Sequence, residues 1–538
     1  MPAATTITDT YFPGVHVVEK PFQPGVSNTA DVTAFGAFVG QSNQGPLTPT
    51  EVRSWPEFTQ LFGVTYTDLH NAVYDFFTNG GRRAYVVRLT PTGGAPASLI
   101  VYDSAVVTPP GPPGALLFTV TATNIGAWGN NLNVVCYIRD PVNYRFDVAV
   151  YSVPTGVTLD SSKRNSEYLI SQWNDVSLFP NDDRYLYTVT NPPSSTSTPL
   201  VTFTPGVTYN PNLPNNATNR PMPGTAGGTA LTSGSDGTYT APFDVAYANA
   251  VASMASIPGP YVLNLVNQTK KEIITAAIND ASARGDVFVV IDPPIGQTVD
   301  QIIQYAQSDL GLNVYNSKAG SFGSIYYPQV WMPAIGSAVP GRTALRPGGG
   351  AIVGQYMATD DSQGPWRVPA GRNYKVGGAL QVERSLTEPE LTKLNNNNVN
   401  ALRVVTGAGV SIMGARTLKK TGADMYVNVR RTIMEITRAL TLATEVSLFD
   451  NNDARLWEHL EGVCADYLGN IFSQGGLKGS APTEAFYVRC DETNNTPNTV
   501  AQGVVNIEVG IALLTPAEFI IITIGQFESG TVATAVTI

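Results

Sequence analysis

Charged residues are scarce in this chain of 538 residues. Asp, Glu, Lys and Arg make up 14% of the sequence, against about 25% in an ordinary soluble protein. The 42 acidic residues outnumber the 32 basic ones, and the formal net charge of -10 argues against a nucleic-acid partner. Because interspersed charge keeps proteins apart, the sparse charge is compatible with an assembly subunit and equally with an ordinary β-rich protein.

Histidine and cysteine are also rare, which excludes several kinds of site. The three histidines are His16, His70 and His459. The long stretch between residues 71 and 458 therefore lacks the base that a Ser-His-Asp triad needs. The three cysteines are Cys136, Cys464 and Cys490. Their spacing fits neither a disulfide framework nor a zinc knuckle, so we expect free, buried thiols, no metal and no cofactor.

Long apolar segments are missing too. The first residues show no basic region followed by an apolar stretch, which argues against a secretory signal. The longest strongly apolar run, Phe519 to Ile524, is far short of the roughly 20 residues that cross a bilayer. We expect a soluble chain without membrane insertion.

Short motifs that could carry chemistry do not fit their templates. Gly348, Gly350 and Gly354 are spaced one residue too widely for a dinucleotide fingerprint, and we interpret them as a turn. The acidic pair Asp360–Asp361 is expected to be solvated or ion-paired. The basic pair Arg430–Arg431 is isolated in the sequence and is expected in an interface or a structural ion pair.

The first 240 residues fall into three stretches that differ in residue composition. Residues 1–30 combine prolines with a strand-like run and predict an extended N-terminal arm. Residues 31–90 predict the N-terminal α/β part of an inner domain, and Ser54 with Glu57 has the spacing of a capping box. Residues 91–240 alternate Pro, Gly, Thr and Asn clusters with short strands and predict a β-rich outer insertion, because such loops prefer water.

Helical periodicity returns in residues 241–420, where three helix and strand units follow one another. Val287 to Ile291 is one of the predicted strands, and Ser324 to Trp331 is predicted to continue the sheet. Thr269 with Glu272 is predicted to cap the second helix. Strands that alternate with helices indicate right-handed crossovers and a parallel sheet covered on both faces.

Residues 421–527 predict a helix-rich α+β C-terminal domain. Amphipathic helices are expected from about Val427 to Leu448 and from Asp453 to Gln474. Three strand candidates follow these helices: Ala485 to Cys490, Val504 to Leu513 and Phe519 to Phe527. Residues 528–538 predict an extended C-terminal arm, and the whole pattern predicts an α/β plus α+β fold.

Seven sequence segments, spread in order along almost the whole chain, are informative when they are taken together. The first runs from TYFPGVHVVEKPFQPG to GGRRAYVVRL, and the second is IGAWGNNLNV. The others are IYYPQVWM, GQYMATDDSQGPWRVPAG, LNNNNVNALRVVTGAGVSIMGARTL, VNVRRTIMEITRAL, and GSAPTEAFYVRCD with LTPAEFIIITIGQF. Together they resemble the tail sheath protein of contractile-tailed bacteriophages and related phage-tail-like particles. The stretch RPGGGAIVG departs from the Pro-Pro-Ser-Gly-type turn that is usual in that family.

The resemblance implies a subtilisin-like central domain, and the missing histidine implies a scaffold without a catalytic triad. It also implies six-membered rings stacked helically around a tail tube, which contract from a metastable extended state and drive the tube through a target envelope. The implied partners are further copies of the chain, the tail tube protein, and the baseplate and tail terminator or neck proteins. The implied location is the virion tail, assembled in the host cytoplasm.

An extended strand at each end of the chain suits addition to the sheet edge of a neighbour. The residues expected on these intersubunit arm strands are Val15, Val17, Val18, Val532, Thr534, Val536 and Ile538. The resemblance places the helix that begins near Val427 on the inner wall. There, Arg430 and Arg431 either contact acidic residues of the tube or form internal ion pairs.

Two other classes of function stay open. One is a hydrolase on the subtilisin-like fold, which the missing central histidine opposes. The other is a β-rich capsid or adhesin protein, which the composition alone favours.

Overall fold

The structure is a computed structural model. The residues that it describes are 34–64, 66–102, 116–140, 145–154, 156–159, 167–178, 180–190, 199–206, 228–239, 243–309, 317–336 and 341–518. The arms predicted for residues 1–30 and 528–538, with all seven arm-strand residues, lie outside these ranges.

Strands and helices alternate along the described chain. The strands are β1 (Phe35–Gly40), β2 (Thr50–Val52), β3 (Ala84–Arg88), β4 (Ser98–Tyr102), β5 (Leu116–Ala122), β6 (Leu132–Asp140), β7 (Arg145–Ser152), β8 (Leu169–Val176), β9 (Val201–Pro205), β10 (Thr229–Ala230), β11 (Tyr261–Leu265), β12 (Val287–Ile291), β13 (Gly323–Tyr327), β14 (Val330–Pro333), β15 (Thr343–Arg346), β16 (Gln381–Val382), β17 (Val399–Val405), β18 (Gly409–Ile412), β19 (Phe486–Arg489) and β20 (Glu508–Ile511). The helices are α1 (Trp55–Phe62), α2 (Asp68–Thr78), α3 (Leu186–Thr190), α4 (Phe243–Ser253), α5 (Lys271–Arg284), α6 (Val299–Gln304), α7 (Gly349–Gln363), α8 (Glu388–Asn396), α9 (Val427–Glu445), α10 (Ala454–Ser473), α11 (Pro482–Ala485) and α12 (Pro497–Ala501).

The central sheet has eight strands in the order β18-β17-β13-β12-β11-β1-β3-β2. The strands from β17 to β3 are parallel, and β18 and β2 add antiparallel edges. Every residue of β12 is buried. Because successive side chains of a strand point to opposite faces, both faces are covered at β12. The predicted parallel sheet covered on both faces is confirmed, and so is a mixed α/β chain with several sheets.

Side chains at the start of α1 and α2 fix the edge of this sheet. The Ser54 hydroxyl accepts a hydrogen bond from the Glu57 N–H at 3.3 Å, so Ser54 caps α1 as predicted. His70, in α2, is buried. Its Nδ1 lies 2.9 Å from the Thr67 hydroxyl, and its Nε2 lies 3.1 Å from the Gly63 carbonyl oxygen. The imidazole therefore ties the loop between the two helices together.

The capping box predicted at Thr269 is wrong, although the helix it was meant to start is present. The residue that precedes α5 is Lys270, and its side chain makes no capping hydrogen bond. Instead, the Gln268 side chain accepts a hydrogen bond from the Lys270 N–H at 2.8 Å. This bond turns the chain one residue later than the Thr269 and Glu272 pattern suggests.

One predicted strand is divided in two. The candidate Ser324 to Trp331 gives β13 in the central sheet and β14 in a separate sheet of order β15-β14-β16. Pro328 lies between the two strands. Proline has no N–H to donate to a sheet ladder, so the chain leaves the central sheet there.

The turn predicted at Gly348, Gly350 and Gly354 is also wrong, because the last two lie inside α7. A Cβ at Gly350 would lie 2.1 Å from the carbonyl oxygen of Ala72, and a Cβ at Gly354 would lie 2.5 Å from that of Phe76. Both oxygens belong to α2. The glycines therefore allow the backbones of α2 and α7 to touch over the central sheet.

We expect Gly350→Ala to lower the free energy of unfolding by about 3 kcal/mol, because backbone atoms cannot move aside as a flexible side chain can. The matched control is Gly462→Ala in α10, where a Cβ would meet nothing within 4 Å. That change should raise the free energy of unfolding by about 0.5–1 kcal/mol through helix propensity. Urea unfolding of the two variants checks the pair, and equal effects would contradict the proposed helix contact.

The strands expected in residues 91–240 form two antiparallel sheets, of order β4-β5-β9 and β10-β6-β7-β8. They share a core of their own, where the Phe118 ring lies 6.4 Å from the Phe146 ring and 5.9 Å from the Phe203 ring. The division of the chain into domains stays a prediction.

The two amphipathic helices predicted near the C-terminus are α9 and α10. They pack with β19 and β20, which pair as an antiparallel hairpin. The third strand candidate, Phe519 to Phe527, lies outside the described residues. Within the described ranges no helix is both long and apolar enough to cross a bilayer.

Candidate functional site

Open α/β sheets bind ligands at the carboxyl ends of their parallel strands, so this edge is the expected place for an active site. A cleft lies there between α2, α7 and the ends of β11 and β12. Its volume is about 10 Å³, which is room for roughly one water molecule. Its polar side chains include Asp75, Asn267, Asp292 and Arg346. The cleft is too small for a substrate.

The polar groups in this cleft connect the elements around it. The Arg346 guanidinium pairs with the Asp75 carboxylate at 2.7 Å, and both side chains are 5% exposed. The Asp292 carboxylate accepts a hydrogen bond from the Asn267 N–H at 2.9 Å. A Cβ at Gly349 would lie 2.1 Å from the other Asp292 oxygen, so this carboxylate sits at the positive end of α7. The ion pair links β15 to α2, and Asp292 joins α7 to the sheet.

Burial of these carboxyl groups makes stability depend on pH. Burial raises the pKa of Asp75 to about 7, against the opposing effect of Arg346, and that of Asp292 to about 6. An Asp carboxyl group in the unfolded chain has a pKa near 3.8. Between this value and the raised values, the folded state therefore holds more protons than the unfolded chain. The stability from these groups is fully present below pH 4 and is lost as the pH rises through 6 and 7.

We expect Asp292→Asn to reduce the loss of stability between pH 5.5 and pH 8 by about 1 kcal/mol, since a shift of one pKa unit corresponds to about 1.4 kcal/mol. Urea unfolding of the wild type and the variant at both pH values measures this difference. An unchanged slope would show that Asp292 does not titrate in this range.

The three cysteine thiols are not activated as nucleophiles. The three cysteines are free and buried, as predicted. Burial raises the pKa of Cys136 and of Cys464 to about 12 and that of Cys490 to about 11, so the thiolates are scarce at neutral pH. Within the same residues, no cluster of three or more His, Cys, Asp or Glu side chains is arranged to hold a metal ion.

The start of α9 is a second place where charges converge. Arg431 is 4% exposed and pairs with both carboxylate oxygens of Asp360 in α7, one of them at 2.9 Å. Its guanidinium also lies 4.8 Å from the centre of the Tyr356 ring. Burial raises the pKa of Asp360, and Arg431 opposes that shift. The pair fastens α9 to α7, which in turn covers the central sheet.

Arg430 makes the corresponding contact on the other side of α9. It is 2% exposed, and its Nη2 lies 3.0 Å from the Asp424 carboxylate, which Lys419 also contacts at 2.7 Å. The Arg430 guanidinium lies 4.5 Å from the centre of the Phe322 ring. The sequence left two roles open for Arg430 and Arg431, and the structure shows both residues in internal ion pairs. Contact with a tube subunit stays a prediction.

Both ends of the described chain lie beside the first turns of α9. Ala34, the first described residue, lines a shallow cleft together with Arg431. At the other end, Glu518 accepts two hydrogen bonds from Arg416, one of 2.9 Å. Arg416 forms a β-bridge with Tyr426, the residue that precedes α9. Ala34 and Glu518, the first and last described residues, therefore lie near the same helix end.

The opposite end of α9 carries a feature that sequence reasoning missed. Val446 and Phe449 are 81% and 90% exposed, although the sequence suggested a helix with one buried apolar stripe. The signal was available: apolar residues continue past the last buried position of that stripe into a stretch rich in Asp and Asn.

The comparisons with known proteins agree with one another. Residues 246–418 match the family model described as the phage tail sheath protein central domain. A tail sheath protein of Vibrio phage KVP40 is 29% identical over 161 residues, which span 30% of this chain and 23% of that relative's length. This chain thus matches less than a quarter of the curated relative.

Solved structures show the same fold over a longer part of the chain. A sheath tail protein from Listeria innocua is 12% identical, with a TM-score of 0.59, covering 90% of this chain and 96% of that one. The helical sheath of the anti-feeding prophage in its contracted state is 19% identical, with a TM-score of 0.56, covering 96% of this chain and 99% of that one. The resemblance that the sequence motifs carry is confirmed: residues 246–418 match the phage tail sheath protein central domain, and solved sheath proteins share the fold of this chain.

Proposed function

We propose that this chain is the structural subunit of a contractile sheath, and that it performs no catalysis. Its copies form six-membered rings that stack helically around a rigid tube. The assembled extended state is metastable, and contraction to a shorter, wider state drives the tube through the target envelope. The match of residues 246–418 to the sheath central domain is the observation that carries this proposal.

The proposed layout follows the sequence. Residues 241–420 form a subtilisin-like scaffold together with the strands of residues 31–90, residues 421–527 form the inner C-terminal domain, and residues 91–240 form the outer insertion. The central sheet and the separate core of the outer strands support this layout. The small, internally paired cleft at the sheet edge supports a scaffold role rather than a hydrolase.

The arms at residues 1–30 and 528–538 join subunits by adding strands to a neighbour's C-terminal sheet. An added strand of about eight residues gains about four hydrogen bonds worth roughly 1 kcal/mol each. Ordering those residues costs about 1 kcal/mol or more apiece. One arm is therefore marginal, and stable linkage needs many arms acting together in a ring, where each further contact is effectively intramolecular.

The partners are further copies of this chain, the tail tube protein, and the baseplate and neck proteins. The particle is assembled in the host cytoplasm and the sheath remains in the virion tail. Sheath and baseplate assemblies among the similar structures support these partners. The sparse charge of the chain also suits a subunit that packs against copies of itself.

Two assays test the sheath against the hydrolase. Sedimentation velocity of the purified full-length chain should show a shift from monomer to very large particles over a narrow concentration range. A serine-reactive fluorophosphonate probe should leave the chain unlabelled. A chain that stays monomeric at every concentration and takes up the probe would overturn the proposal in favour of the hydrolase.

A further inference from the structure

We propose that the end of α9 in one copy docks onto the β17–β18 face of a second copy, a contact that rests on the sheath function above and names one of its interfaces. The α9 tip comprises Leu442, Glu445, Val446, Phe449 and Asp450. The basic face comprises Lys375, Arg403 and Met413.

Within the part of the chain that the structure describes, the α9 tip is apolar and uncovered. Leu442, Val446 and Phe449 are 36%, 81% and 90% exposed. Leu442 and Val446 lie four residues apart on one side of the last turn of α9, and Phe449 follows in the turn after the helix. Exposed apolar side chains that are contiguous mark interaction sites more often than scattered ones do.

Phe449 has an unfavourable backbone conformation. Its φ is 71°, in the left-handed region that bulky residues avoid. The other described non-glycine residues with positive φ have short polar side chains: Asp175, Ser233, Asn267 and Asn398. The chain therefore accepts an unfavourable conformation to present an aromatic ring to solvent, which indicates a role outside the monomer.

Charges of opposite sign are separated between the two surfaces. Residues 439–454 contain no Lys or Arg and three acidic residues: Glu445, Asp450 and Asp453. Residues 391–423 contain no Asp or Glu and five basic residues: Lys393, Arg403, Arg416, Lys419 and Lys420. The stretch 362–382, which borders β18, also lacks acids and carries Arg367, Arg372 and Lys375. Complementary fields of this kind select and orient partners.

The register of the sheet places the basic residues on one face. Arg403 lies opposite Ser411, and Ser411 is bridged to Lys375 on its other side. Directly opposed residues share a face, and Met413 shares it as well because it lies two residues from Ser411. Met413 is 40% exposed, and its flexible thioether suits contact with an aromatic ring. Neither Lys375 nor Arg403 forms an ion pair within the described residues.

One copy cannot join the two surfaces by itself. The basic face adjoins the start of α9, because the Val427 N–H donates to the Ala415 carbonyl oxygen at 3.0 Å. The tip lies at the other end of the helix, about 28 Å away at 1.5 Å per residue. A contact between two different patches is heterologous, and such contacts build rings or helices rather than closed pairs.

Charge reversal in two variants tests the contact. The tip variant is Glu445→Lys with Asp450→Lys, and the face variant is Lys375→Glu with Arg403→Glu. Each alone should need at least ten times the wild-type concentration to form pelletable particles. An equimolar mixture should recover assembly, because in an alternating ring every tip then meets a face of opposite charge. Assembly of each variant alone at the wild-type concentration would overturn the proposal.

The mixture also separates this contact from other partners and from misfolding. Variants that are folded by circular dichroism, fail alone and fail when mixed would show that the tip does not meet the basic face in the assembly, which would also overturn the proposal. A wild-type chain that never polymerises would instead refute the proposed function.

Phe449→Gly provides a second readout. It should weaken assembly to a similar extent without lowering the thermal midpoint of the monomer. Val157→Ser, at a 43% exposed site in the outer region, should leave assembly unchanged. A normal Phe449→Gly assembly would contradict the role of the ring.

Discussion

Arg431→Met should lower the free energy of unfolding by about 3–5 kcal/mol, the usual cost of leaving a buried charge without its partner. Asp360, the partner, lies 7% exposed in α7, and Arg431 is the one cation that pairs with it among the described residues. The result is measured by urea unfolding of the full chain. It would identify the pair as the main fastening between α9 and the helix that covers the central sheet.

Two controls isolate the buried pair from the loss of charge as such. The double variant Arg431→Met with Asp360→Leu should recover most of the lost stability, because no unpaired charge remains. Arg82→Met breaks the neighbouring pair between Arg82, which is 81% exposed, and Asp361, and it should cost at most about 1 kcal/mol. A cost for Arg431→Met no larger than that for Arg82→Met would contradict the structural role of the pair.

Truncation after Gly530 should abolish particle formation while leaving the subunit folded. The truncated residues carry the alternating apolar face of the predicted C-terminal strand. Val536→Asp, on that face, should block assembly, whereas Thr537→Asp, on the opposite face, should do less, because successive strand residues point to opposite sides. Sedimentation and circular dichroism of the three variants check these outcomes. Normal particles from a folded truncated subunit would place the linkage elsewhere.

The sequence was most informative where local pattern and tertiary structure agree. Val287 to Ile291 was predicted as a strand with the bounds of β12, because a short β-branched run between two helices has few other solutions. The amphipathic stripe of α9 likewise gave its start at Val427. In both elements the apolar residues of the sequence already mark the positions that are buried.

Other features depend on what packs against an element, which a single sequence does not record. Gly350 and Gly354 resemble turn glycines until α2 is placed beside them, when the same lack of a Cβ permits a helix contact. Asp360 was weighed as a solvated or ion-paired residue, and only the fold brings Arg431 to it across 71 residues of chain. The exposed Phe449 ring was missed because the residues next to it in the sequence do not indicate what it contacts in an assembly.

Negative-stain microscopy of the purified full-length chain tests the central claim most directly. The sheath account predicts hollow, striated cylinders of uniform width and variable length, formed without nucleotide. A capsid or adhesin protein would give closed shells, fibres or single particles. Preparations that show only such objects, at concentrations where large particles sediment, would contradict the claim that this chain is a sheath subunit.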